Sequence, residues 1–165
     1  MRKINYTLAI ILLSSLAAFA QETVSKSFMA VAWSPDGKYL SFTELQMTNS
    51  KPPVMKADVY IMKADGTELK KITGDDGNEF GPSWSKDGKR LVFGSSPAQD
   101  MKKSDIFSVN KDGGNLMQLT KNSGRNSSPA VSPDGKKIVF NSELVERKPQ
   151  IYVMNADGSN LKGLT

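Results

Sequence analysis

Two short phrases recur three times along the chain in fixed register, and this repetition constrains the fold more than any other feature. Trp33-Ser34-Pro35-Asp36-Gly37 returns as Trp84-Ser85-Lys86-Asp87-Gly88 and as Val131-Ser132-Pro133-Asp134-Gly135. A second phrase follows each copy and ends in its own Asp-Gly pair: Val59 to Gly66, Ile106 to Gly113, Ile151 to Gly158. Each repeat closes on an aliphatic-Thr pair, Ile72-Thr73, Leu119-Thr120 and Leu164-Thr165. The step from the second Asp to the closing Thr is always eight residues, and from that Thr to the next first Asp always fourteen. Only the segment between the phrases varies, with Asp-to-Asp steps of 29, 25 and 23 residues. Insertions are tolerated where the chain loops over a surface, so that segment reads as a loop.

One repeat divides naturally into strands. Phe28 to Trp33 is a short apolar run, and Ser34-Pro35-Asp36-Gly37 is a tight turn. Pro presets its dihedral, Ser and Asp bond locally, and Gly accepts a positive φ. Lys38 to Glu44 forms a second strand, Leu45 to Lys56 the variable loop, Ala57 to Lys63 a third strand and Thr67 to Thr73 a fourth. Short strands repeating with a period of roughly 40–50 residues, four to a unit, predict an all-β fold, a β-propeller with three four-stranded blades. The blades are expected at about 28–73, 81–120 and 127–165, giving a partial ring or half of a six-bladed ring.

The phrase aromatic-Ser-Pro-Asp-Gly-Lys, an apolar strand, then Ile151-Tyr152-Val153-Met154-Asn155-Ala156-Asp157-Gly158 and a closing Leu-Thr resembles the WD40-like repeat of the TolB-type β-propellers. The resemblance covers Phe28 to Thr165 in three consecutive copies. It implies the fold, and it implies a role only broadly. Such propellers serve as exported scaffold proteins and as the non-catalytic part of prolyl-oligopeptidase-like and tricorn-like peptidases. Rings of that family usually hold more blades than the three repeats present here.

The first twenty residues read as a secretory signal: Arg2 and Lys3, the apolar run Leu8 to Leu13, then Ala18-Phe19-Ala20 before Gln21. The remainder, 21–165, is expected to be soluble and periplasmic or secreted once the leader is removed, with no membrane insertion. There is no Cys, so stability must come from packing and not from disulfides. There is no His either, which removes Ser-His-Asp and Cys-His nucleophilic arrangements and the usual zinc spacings. The formal net charge of +5 is spread along the chain without a basic block, so nucleic acid is not implied.

Strands alternate in direction within a blade. Both Asp-Gly turns should therefore lie on one face of the disc, and the variable loops and interblade links on the other. That loop face carries the candidate partner-binding residues. They are Asp75, Asp76 and Glu79 on the first link, Asp100, Lys102 and Lys103 on the second variable loop, Arg125 and Asn126 on the second link, and Arg147 on the third loop. Each has a plainer reading as a solvated loop residue. The acidic run Asp75 to Glu79 offers oxygen ligands for a hard cation but lacks the alternate-residue spacing of a calcium loop. The motif aspartates read as turn residues, and Trp33, Trp84, Met62 and Met154 as packing between blades. No cofactor, metal or catalytic residue is expected.

The composite expectation is an exported, non-enzymatic propeller that binds a protein partner through its loop face. Two alternatives stand beside it: the propeller portion of a longer peptidase or carbohydrate-active enzyme, and a scaffold without a specific ligand. Three blades leave two apolar flanks, which further blades or a second copy completing a ring would cover.

Overall fold

The computed structural model describes residues 23–74, 77–98, 100–121, 124–143 and 148–165. The leader at 1–20 and the candidates Asp75, Asp76 and Arg147 lie outside the described residues. The rest forms three four-stranded antiparallel sheets, each made of consecutive strands paired in chain order. The first holds β1 (Val24–Trp33), β2 (Tyr39–Thr48), β3 (Met55–Lys63) and β4 (Lys70–Lys71). The second holds β5 (Gly77–Trp84), β6 (Arg90–Pro97), β7 (Asp105–Asn110) and β8 (Met117–Gln118). The third holds β9 (Asn126–Val131), β10 (Lys137–Ser142), β11 (Gln150–Asn155) and β12 (Lys162–Gly163). These are three propeller blades, as the repeat predicts. Among the described residues no helix is long and apolar enough to cross a membrane.

Strand lengths depart from the expectation in two ways. The inner strands are longer than their apolar runs: β1 pairs with β2 from Val24↔Thr48 to Trp33↔Leu40, and β2 pairs with β3 as far as Met47↔Met55. The first variable segment, expected to be a loop from Leu45 to Lys56, is therefore mostly a hairpin arm, and only 49–54 remain between its strands. Links expected at 74–80 and 121–126 likewise end inside strands that begin at Gly77 and Asn126. The fourth strands are shorter than expected, two residues each.

Two apolar layers join the blades. Val59, Ile61 and Ile72 of the first blade pack on Trp84, Leu91, Phe93 and Val109 of the second. Val92 and Ile106 on the other side of the second blade pack on Ile138, Phe140, Tyr152 and Met154 of the third. The middle sheet is thus buried on both faces. Trp84 is 7% exposed and its indole Nε1 donates to the Ala32 carbonyl across the first junction at 3.4 Å. Trp33, expected to pack in the same way, is 63% exposed. Its repeat position faces the preceding blade, and no described residue supplies one.

The two turns of each blade lie at the same end, tied by a backbone bond: Ala64 N–H to Lys38 O, Lys111 N–H to Lys89 O, Ala156 N–H to Lys136 O. In the first turn of each blade the Asp Oδ1 accepts from the Ser hydroxyl at 2.6 Å and from the N–H two residues on. Those bonds, the Ser hydroxyl first, hold the Asp36, Asp87 and Asp134 carboxyls below their usual pKa. The motif aspartates act as turn residues.

Candidate functional site

The closing Thr has a structural task that its place in the repeat does not announce. Its hydroxyl oxygen accepts the N–H that opens the apolar part of the third strand: Val59 to Thr73 at 3.0 Å, Ile106 to Thr120 at 2.9 Å, Ile151 to Thr165 at 3.0 Å. The backbone N–H of the preceding Ile72, Leu119 or Leu164 donates to the carbonyl of that same third-strand residue, so backbone and Thr side chain together satisfy it. The Thr side chain also brings a polar group to the start of the next blade.

Glu79 and Asn126 occupy one repeat position, eight residues before Asp87 and Asp134, and both meet the Thr of the blade before. Asn126 is fully buried, and its Nδ2 donates to Thr120 Oγ1 and to Asp105 Oδ1, each at 3.2 Å. Thr120 in turn donates to Asp105 Oδ1 at 2.6 Å. The second junction is thus held by a connected polar seam. At the first junction Glu79 is 6% exposed; Ser95 Oγ donates to its Oε1 at 3.0 Å, and Thr73 also donates to the carboxyl. Burial pushes the Glu79 carboxyl up to about 7, with buried Asp58 adding to the shift and the two hydroxyl bonds and Lys71 opposing it. Neighbouring Asn78 is also buried and accepts the Ala57 N–H at 3.0 Å.

These positions correct the expectation that Glu79 and Asn126 form part of an exposed contact surface. Both lie inside strands, between blades, and hold the blades together. Their polar character mimics a solvated link, but each reaches the closing Thr of the blade before. Lys102, Lys103 and Arg125 are exposed, and Asp100 is half-buried. Asp100 Oδ1 accepts the Lys102 N–H at 3.1 Å, Lys103 Nζ lies 3.8 Å from Asp100 Oδ2, and Arg125 Nη1 lies 3.8 Å from Glu143 Oε1.

Arg125 and Asn126 border a cleft of about 490 Å³ that sequence reasoning did not find. The first strands of the three blades meet there, and each bulges at the same repeat position. Ala30, Gly81 and Ser128 hold that position in the left-handed region, with φ of 53°, 64° and 54°. Met29, Met55 and Met101 line the cleft from β1, β3 and the loop after β6. Met29 and Met101 are about two-fifths exposed. The structure thus gathers Arg125 with residues from all three blades, while Glu79 and Lys103 border a different cleft between the first two blades.

No protein-family model matches the chain. Dipeptidyl-peptidase 5 of Porphyromonas gingivalis is 32% identical over 72 residues, which is 44% of this chain and 10% of that protein. The chain therefore spans about a tenth of the length of the curated relative it matches. TolB from Acinetobacter baumannii superposes with a TM-score of 0.56 and 18% identity, over 85% of this chain and 44% of the other. The β-propeller domain of the Trilobed protease from Pyrococcus furiosus gives a TM-score of 0.61 and 12% identity, over 84% and 42%. The chain has a TolB-like β-propeller fold, here as three blades.

Proposed function

We propose that this chain is a non-catalytic, exported propeller that binds a protein partner at its loop face, in the cleft where the first strands of the three blades meet. The observation that carries this reading is the lining of that cleft by Met29, Met55 and Met101 with Arg125 at its side. Unbranched, polarizable methionines repack around different side chains, and Arg is enriched among residues that dominate interface energies. Three blades supply a rigid frame for an adaptable surface, the usual division of labour between scaffold and loops. Export rests on the leader pattern, and removal of that leader predicts a chain starting at Gln21.

A second reading has its own support. The stretch similar to a dipeptidyl-peptidase makes this chain a candidate for the propeller portion of a peptidase whose catalytic groups lie elsewhere. The loop-face cleft would then receive another domain of the same protein. Substitution separates occupancy of the cleft from the rest of the surface. Arg125→Glu with Met101→Asp should weaken capture of the partner at least about tenfold, whereas Lys89→Glu on the turn face should leave it unchanged. Equal capture by all variants would refute the loop-face assignment.

A further inference from the structure

A cleft of about 460 Å³ runs between the outer edge of the first blade and the outer strands of the second. That volume is in the range of small-molecule sites. Phe93, Phe107, Val109 and Leu116 give it an apolar wall. The two phenylalanine rings stack with centroids 6.2 Å apart, and Leu116 is 61% exposed at the mouth. Glu79 borders the same space, whereas the Asp105 carboxylate is taken up by Thr120, Asn126 and Gln118. Glu79 Oε2 is buried and has no hydrogen-bond partner among the described residues. Buried carboxylate oxygens are ordinarily satisfied, because an unmet one loses its hydration without return.

Blade packing does not require this carboxylate. At the equivalent junction the same repeat position is Asn126, whose amide donates to Thr120 and Asp105. A neutral amide serves the seam there, so packing alone does not call for a carboxylate beside an apolar cleft. We propose that the cleft binds an organic monocation, a primary ammonium carried on an apolar chain or ring, with Glu79 Oε2 accepting from the ammonium and the Phe93–Leu116 wall holding the tail.

The donor set selects this class over other cations. Oε1 already accepts from Ser95 and the Thr73 hydroxyl also donates to the carboxyl, so little acceptor capacity remains, which suits a single N–H of an ammonium and not the paired donors of a guanidinium. A hard metal ion wants several oxygen ligands, and among the described residues no group of three His, Cys, Asp or Glu side chains is present. The aromatic faces add attraction for a cation. Lys103, a cationic side chain among the described lining residues, lies near Asp100.

Protonation strengthens the case and supplies a readout. Glu79 titrates near 7, and a bound cation would favour its ionised form. Asp58 and Lys71 face it from the first blade, and Asp105 and Lys103 share the cleft from the second. Affinity should therefore rise as pH climbs from about 6 to 8.

The test titrates 2-phenylethylamine into the purified protein by calorimetry and NMR, with 2-phenylethanol and 3-phenylpropionate as neutral and anionic counterparts. The amine should bind saturably and at least about tenfold more tightly than either counterpart. Glu79→Gln removes a buried charge without removing volume; it should fold and should lose that preference together with the pH dependence. Leu116→Ala, at an exposed wall position, should weaken the amine severalfold and keep the preference. Saturable amine binding that is unchanged in Glu79→Gln would overturn the proposal. So would equal binding of amine and alcohol, or no saturable binding of the amine at millimolar concentration.

Discussion

Phe42, Phe93 and Phe140 share one repeat position, six residues after the first Asp, and are 5%, 1% and 2% exposed. Phe93 packs at the junction of the first two blades, so its truncation removes a large buried ring from the apolar layer that joins them. Phe93→Ala should cost about 3–5 kcal/mol in urea unfolding, and a loss under about 1 kcal/mol would mean the strand faces are assigned wrongly. At this scale, apolar positions that repeat were legible, because period and burial report the same constraint. The closing Thr was visible as a repeat but not as a hydrogen-bond acceptor, since its partner lies fourteen residues earlier in the chain. Glu79 and Asn126 were misplaced for a related reason. Both are polar, and only the fold shows that each reaches back to the closing Thr of the blade before.

Among the elements, the inner strands carry the lesson. β1 and β5 continue well beyond their apolar residues because pairing with a neighbour satisfies their backbone, whatever the side chains. No alternation of apolar and polar residues marks such a stretch, so its strand character could not be read from composition. The bulge shared by the first strands was equally hidden: Ala30, Gly81 and Ser128 have only size in common. The start of β5 also sets a pH dependence. Glu79 has a folded pKa of about 7 against an ordinary 4.5, so the fold disfavours its ionised form. Its protonated state carries no penalty below about pH 4.5; as pH rises toward 7 the penalty grows, and above that it is constant. Glu79→Gln should flatten this decline and raise stability at pH 8 by about 1–3 kcal/mol, reduced by water in the adjacent cleft. Parallel stability profiles for the two proteins between pH 5 and 8 would contradict this.

At the scale of the whole molecule, equal positions in unequal surroundings show what the flanks lack. Trp84 is 7% exposed and Trp33 63%; Ile72 is 5% exposed and Leu164 54%. A repeat position is core where another described blade packs against it and surface where no described blade does. Phe28, Val31 and Trp33 on one flank and Val139, Ile151 and Leu164 on the other are exposed together. Apolar areas of this kind mark contact surfaces. The isolated 165-residue chain should therefore self-associate at micromolar concentration, and Trp33→Lys should shift sedimentation toward the monomer and reduce hydrophobic-dye binding. A monomeric wild-type chain that binds no dye would show that these flanks need no cover. The repeat made three blades legible, but the consequence for Trp33 required knowing which blade each face meets.

The proposed recognition surface is the loop face, at the cleft between the first strands. Site-specific photo-crosslinking from both faces tests it most directly. A photoreactive side chain at Met101, in the loop-face cleft, should capture a protein partner in the exported fraction, while one at Lys89, on the turn face, should not. Crosslinks from Lys89 with none from Met101 would contradict the account.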